Sequence, residues 1–366
     1  MNELIELINN EVNVSIFSLD LPNHDILHQE ISRNDLLSRT FYFRFRNILK
    51  LRSKFGFLMK LLAQNKSGSS QRIKLAYFAQ LAQEMKCDRL HSHFVHKQAD
   101  VISRLSDLPL SITAHCYEEQ AMSEDAKRRL EKIIERCAFV VTATDFAKAG
   151  LSKLAPRDTK KIKTIRCGIS LRKFSSQDIR RSTTFNIVSV AGLYPRKGTR
   201  YLIEALGLIK NKADYKLYLV GDGPERPNLE EVVDAWGISG FVEFIGHADS
   251  EAVLNYLKIA DCFVLPCIVT GDGLMDGLPV ALMEAMAMRI PTISTPVAGV
   301  PELIIHDQNG LVVPQADPRA LSRAIMRLYD NRELCELLGR NAREKIEKEY
   351  DVKITAKQLA REFCNA

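Results

Sequence analysis

Two carboxylates, Asp276 and Glu284, stand eight positions apart in the stretch Thr270 to Ala287, TGDGLMDGLPVALMEAMA. Glu284 is the only ionisable residue between Pro279 and Met288. A carboxylate alone on an otherwise apolar helix is costly to bury unless something pairs with it. Pro279 sits where a helix should begin, and good helix formers follow it. The glycine-rich entry leaves the first helical amides free to face an anion. An amide-lined helix start beside two acids suits a polar, partly anionic ligand. The plainer alternative is a buried helix whose single Glu reaches solvent.

Two cations complement those acids. GLYPRKG at 192–198 places Arg196 and Lys197 just before a helix expected to start near Thr199. Cations beside helix-end amides suit a diphosphate, whose charge they would stabilise as it leaves. GDGP at 221–224 follows an apolar run, and Gly221 and Gly223 there allow close backbone approach. It is not the GxGxxG dinucleotide fingerprint. In the first half, His91 and His93 alternate on one expected strand and His115 ends another. A metal held by His91, His93 and His96 is disfavoured, because strand-to-helix spacing separates His96 from the pair. His115, at a strand's carboxyl end facing a cleft, is placed to touch a substrate; a hydrogen-bonded structural histidine is the competing reading.

Alternating strands and helices must carry these residues. In the first half the expected strands are 12–19, 89–94, 110–115, 139–143 and 161–166, with helices between them and a largely helical stretch over 35–85. A polar, basic linker at 168–184 precedes a second series, with strands at 186–191, 215–220, 242–245, 262–265, 292–295 and 311–313. Three helices follow between Pro318 and Cys364. Strands alternating with helices of this length predict parallel sheets covered on both faces. The fold class is therefore α/β, with two doubly wound, Rossmann-like domains facing each other across a cleft at the carboxyl ends of both sheets. The expected domains are 1–175 and 176–350, followed by a C-terminal helix at 351–366 that crosses back to the first domain.

The composition is that of an ordinary globular chain of 366 residues, 46% hydrophobic and 26% charged. No apolar run spans a bilayer and no leader pattern is present, so the expectation is a cytoplasmic protein. The eight cysteines are scattered, with neither disulfide nor zinc spacing. The net charge of +6 hides an asymmetry. From Leu36 to Gln83 there is no acid, and ten bases between Arg39 and Lys74 are interleaved with Phe41, Tyr42, Phe43, Phe45, Phe55 and Phe57. Residues 39–74 therefore suit an anionic membrane surface, giving a peripheral location at the inner face of the cell membrane. A solvated basic helix is the alternative. Nucleic acid is not expected, because no helix-turn-helix, RNA-binding or zinc-finger signature accompanies the charge.

In combination these motifs resemble the family 4 (group 1) retaining glycosyltransferases of the GT-B fold. The resemblance rests on PRKG at 195–198, VGDGPER at 220–226, VEFIG at 242–246, ADCFVLPC at 260–267, DGLPVALMEAMA at 276–287 and STPVAGVPELI at 294–304. LHSHF at 90–94 and TAHCYE at 113–118 are similar to the colanic-acid and exopolysaccharide branch. The resemblance implies that Glu284 holds the nucleotide ribose, and that Asp276 with Gly277, Leu278 and Pro279 holds the donor sugar. Lys197, helped by Arg196, would meet the diphosphate, and His115 would lie near the reacting sugar. It implies no metal and no cofactor beyond the nucleotide-sugar substrate.

This sequence departs from the family in three places. Asp276 replaces the usual Glu, and Gly192 stands where a second cation is usual. MNELIELINNEVNVSIFSL aligns with the family's first helix and second strand, so the first strand and the loop after it either lie upstream or are lacking. The expected function is transfer of a sugar from a nucleotide diphosphate to a glycan or lipid-linked acceptor in surface-polysaccharide assembly. A catalytically impaired, donor-binding scaffold subunit is the alternative, and a sugar-nucleotide epimerase or a phosphorylase comes third.

Overall fold

The structure is a computed structural model, and it describes residues 2–18, 39–42, 69–93, 99, 106–115, 122–175 and 184–365. Most of the basic window at 39–74 and the strand-ending segment at 116–118 lie outside those residues.

The second half contains a six-stranded parallel sheet made of β7 (Phe185–Val190), β8 (Tyr215–Val220), β9 (Val242–Gly246), β10 (Cys262–Leu265), β11 (Thr292–Ser294) and β12 (Leu311–Val312). Its spatial order is β12-β11-β10-β7-β8-β9. The chain thus builds outward in one direction from β7 to β9, returns to the centre at β10, and builds outward the other way. The strand order therefore reverses between β7 and β10, the kind of switch point at which open α/β sheets present a ligand crevice at the carboxyl ends of their strands. Strand alternation fills both faces. Val188, Phe263 and Leu265 join one core with Leu282, Met283 and Met286, whereas Ile187, Cys262 and Val264 join the other with Leu202, Leu206 and Leu217. Burial on both faces is why these strands read as nearly continuous apolar runs.

The first half contains a four-stranded parallel sheet in the order β3 (Leu90–His93), β4 (Leu110–Ala114), β5 (Cys137–Thr142) and β6 (Ile162–Thr164). A separate two-stranded parallel pair joins β1 (Ile16–Ser18) to β2 (Thr40–Tyr42). The strand at 12–19 is shorter than its pattern suggested, because Glu11 turns at positive φ and the pairing begins only at Ile16. The helices Glu124–Arg136 and Asp145–Leu154 are capped by Ser123 and Thr144, which accept from Ala126 N and Ala147 N.

The stretch at 168–184 was expected as a polar linker, but its first part is anchored. Ile169 N–H donates to Tyr350 O at 2.9 Å, Val352 N–H donates to Ile169 O at 3.0 Å, and Phe174 is buried in the second domain's core. Apolar residues punctuate the polar run, and burying them outweighs its overall composition. The last helix, Val352–Asn365, returns to the first half. There Leu359 packs with Leu7, Phe139, Val141 and Ile165.

Candidate functional site

At this strand reversal the structure brings Arg196, Lys197 and Asp276 together. Leaving β7, the chain makes a single 3-10 turn at Pro195–Lys197 and enters the helix Thr199–Gly207 through Gly198. Gly198 has φ +68°, and a Cβ there would lie 1.9 Å from the Pro266 carbonyl oxygen. This contact locks the loop after β7 onto the loop after β10, as does the Ile268 N–H bond to Arg196 O at 2.9 Å. Gly198→Ala is therefore expected to cost about 3 kcal/mol, from left-handed strain and backbone displacement together. Chemical denaturation measures it, and a cost below about 1 kcal/mol would show that the two loops yield to each other.

That junction brings three charges together. Arg196 Nε lies 3.0 Å from Asp276 Oδ1, and Lys197 Nζ bonds Asp276 Oδ2. The Asp276 and Lys197 side chains are only 14% and 16% exposed, so bulk salt screens the pair weakly. Cys267 Sγ approaches the same carboxylate at 4.0 Å, and burial pushes its thiol up to about 12, so it stays protonated. The Arg196 guanidinium also lies 4.9 Å from the centre of the Tyr194 ring. The same ring covers Gly192, where the family's second cation would stand.

Glu284 projects from the helix Val280–Ala287, whose Leu282, Met283, Ala285, Met286 and Ala287 are all buried. Its carboxyl is half-buried, and no protein hydrogen bond reaches it among the described residues. Burial raises its pKa, and the Lys173 ammonium offsets part of that rise. Lys173 itself bonds Ser250 Oγ. Before the helix, Pro279 is extended, Leu278 packs on the core, and the Gly277 carbonyl accepts from Gly299 N–H at 2.9 Å. Gly221 N–H donates to Gly246 O at 2.9 Å and Gly223 N–H to Asp222 Oδ1 at 2.8 Å, so the GDGP turn is stitched to its neighbours.

His115 follows β4 directly and engages residues of the first domain. Its Nε2 is 3.0 Å from His93 Nδ1, the two rings stack, and its Nδ1 is 4.0 Å from Cys167 Sγ. Burial lowers the pKa of His115, and that of His93 to about 4, so both rings are neutral near pH 7. His91 has both nitrogens engaged, by Ser111 Oγ at 2.8 Å and Thr113 Oγ1 at 2.9 Å. Among the described residues no group of three His, Cys, Asp or Glu side chains is arranged to hold a metal; His96 lies outside them.

One cluster was given no role by the motifs, although Glu302 lies within STPVAGVPELI. Glu302 accepts from Asp145 N–H at 2.9 Å and Phe146 N–H at 2.8 Å, and pairs with Arg166. Its signal was present: Glu302 is a lone acid in the apolar run VPELII.

Residues 172–345 match the family model described as glycosyl transferases group 1. By that similarity, residues 172–345 are the chain's group 1 domain. The chain is 34% identical over 235 residues to the putative colanic acid biosynthesis glycosyltransferase WcaL of Escherichia coli, covering 63% of this chain and 57% of that protein. It is also 34% identical over 204 residues to the amylovoran biosynthesis glycosyltransferase AmsK of Erwinia amylovora, covering 55% of this chain and 50% of that one. The chain thus spans about half the length of the curated relatives it matches. Anabaena Alr3699/HepE, solved in complex with UDP and glucose, superposes with a TM-score of 0.80 at 17% identity, over 100% of this chain and 96% of that one. The group 1 domain and the sheet before it therefore make a GT-B fold, as the resemblance implied.

Proposed function

We propose that this chain binds a nucleotide-diphosphate sugar in the crevice of its group 1 domain. We further propose that it transfers the sugar, with retention of configuration, to a glycan or lipid-linked acceptor in exopolysaccharide assembly. The observation that carries this reading is Glu284. A half-buried carboxylate with no protein hydrogen bond among the described residues, one loop away from two cations, is an acceptor kept for a ligand's hydroxyls. In this reading Glu284 holds the ribose, and Arg196 and Lys197 hold the diphosphate. Asp276 turns from those cations to the sugar hydroxyls, beside Gly277, Leu278 and Pro279. The bond from the anomeric carbon to the phosphate oxygen breaks with its electron pair leaving on the diphosphate, which the two cations stabilise. The acceptor oxygen attacks the same face, and its proton passes to the departing phosphate. Neither a metal nor another cofactor takes part. His115 lines the acceptor side and orients the reacting sugar.

The relatives named for colanic acid and amylovoran biosynthesis support an exopolysaccharide product, and the Anabaena complex with UDP supports a nucleotide donor. Among the described residues no helix is long and apolar enough to cross a membrane. Residues 39–74 would then bring the protein to the anionic inner face of the cell membrane, where a lipid-linked acceptor resides. The test incubates the chain with UDP- and GDP-sugars and membranes or lipid extract, and follows nucleoside diphosphate release. Release that depends on the lipid fraction is expected, as is sedimentation with anionic liposomes that falls as salt rises. Absence of both nucleotide binding and nucleoside diphosphate release would end the reading; liposome binding indifferent to charge and salt would end its membrane part.

A donor-binding scaffold is the second reading, favoured by Gly192 and by the pairing of both cations with Asp276. Tight UDP or GDP binding without turnover would select it.

A further inference from the structure

The group 1 domain is tied to the first domain by a carboxylate that the nucleotide site does not use. Glu302 lies on the helical turn Val300–Leu303, and its two oxygens accept from Asp145 N–H and Phe146 N–H. These are the first two amides of the helix Asp145–Leu154, which no intrahelical carbonyl can satisfy. Arg166, at the end of the same domain's sheet, bonds Glu302 and lies 3.2 Å from Asp145 Oδ2. The Arg166 and Glu302 side chains are 19% and 17% exposed, so the pair is shielded from solvent. One carboxylate thus meets a helix's positive end and a guanidinium, both from the other domain.

The loop carrying Glu302 is coupled to the nucleotide site. Gly299 is seated so closely on Thr144 that a Cβ would lie 2.3 Å from the Thr144 methyl. Ala298, at φ +45°, holds the turn just before it. Gly299 N–H donates to the Gly277 carbonyl at 2.9 Å. Gly277 follows Asp276, which engages Arg196 and Lys197. A short chain of contacts therefore runs from the first domain's helix start, through Glu302 and Gly299, to the loop between the two site carboxylates.

We propose that Glu302 and Arg166 are positioning residues for transfer. They fix the first domain against the 276–278 loop, so that donor sugar and acceptor meet in register. The inference rests on the transferase reading above, and neither residue touches the nucleotide.

The test uses the full chain with Glu302→Ala, Glu302→Gln and Arg166→Ala. Calorimetry measures UDP and GDP affinity, and nucleoside diphosphate release gives kcat and KM. UDP and GDP affinity is expected to stay within about twofold of wild type, because the crevice residues are intact. Turnover at saturating donor is expected to fall about tenfold or more for both alanine variants, since small misplacements of reacting groups cost that much. Glu302→Gln, which keeps one acceptor oxygen for these amides and puts an NH2 donor in place of the other, is expected to fall between, and it carries the test should Glu302→Ala fail to fold. Added acetate is expected to restore part of the turnover of Glu302→Ala and none of that of Arg166→Ala. Unchanged turnover in folded variants would overturn the proposal, as would a loss confined to KM or to nucleotide affinity. An inactive wild type would instead sink the transferase reading, so the two failures are distinguishable.

Discussion

Glu284→Ala is expected to weaken UDP and GDP binding by roughly 10- to 150-fold, the worth of ~1.5–3 kcal/mol for charged hydrogen bonds, while the protein stays folded. The neighbouring apolar residues hold the helix in place without this carboxylate, since five of its eight positions are buried. Glu284→Gln keeps the shape and isolates the charge. Burial raises the Glu284 pKa above its ordinary value of 4.5, so the folded state holds that proton more tightly than the unfolded chain does. The contribution is fully present below the unfolded value and is lost as pH rises through the folded one. Wild type should therefore lose stability relative to Glu284→Gln as pH climbs from ~4 to ~7. Denaturant titrations across that range measure the gap. A gap that is constant, or that closes with rising pH, would mean the carboxylate is well solvated or paired.

Lys197→Ala is expected to lower turnover by roughly 100-fold or more, because it removes a cation aimed at the leaving diphosphate. The partner left behind sharpens the test. Without Lys197, Asp276 keeps only Arg196, whose side chain is 33% exposed and braced by Tyr194. One cation must then serve both the carboxylate and the phosphates. Lys197→Arg should recover part of the rate, since charge matters more than length at an anion. Adding Asp276→Asn to Lys197→Ala should recover nucleotide affinity by freeing Arg196, yet not the rate, because the sugar has lost the carboxylate that holds its hydroxyls. Single-turnover and equilibrium measurements separate the two. A Lys197→Ala enzyme within about threefold of wild type would remove the cation from the mechanism.

The sequence made the site's parts legible and left their arrangement hidden. Asp276, Glu284, Arg196 and Lys197 were visible because charge in apolar or glycine-rich surroundings is itself a signal. The meeting of Arg196 and Lys197 with Asp276 depends on β10 returning beside β7, a pairing between strands far apart in sequence that no local periodicity encodes. Strand identity survived because burial on both faces writes continuous apolar runs; most strand ends moved by a residue or two, and β1 begins four residues late, at Ile16, after the turn at Glu11. His115 shows the other limit. Its place at a strand end was readable, but its stacking on His93 and its approach to Cys167 are tertiary facts. The clasp at Glu302 hid for the same reason, since its partners Asp145, Phe146 and Arg166 belong to another domain.

The returning helix Val352–Asn365 also dictates an order of events during synthesis. Leu359 and Phe363 complete the apolar face over Phe139, Val141 and Ile165, and Leu359 meets Leu7 from the opposite end of the chain. While the ribosome is still making the group 1 domain, that face of the first sheet lacks its cover. The group 1 sheet draws all its strands from one continuous stretch and can close as soon as that stretch emerges. The earlier-made domain is therefore finished last, and until then its exposed apolar face is the part of the nascent protein most open to chaperones and to aggregation.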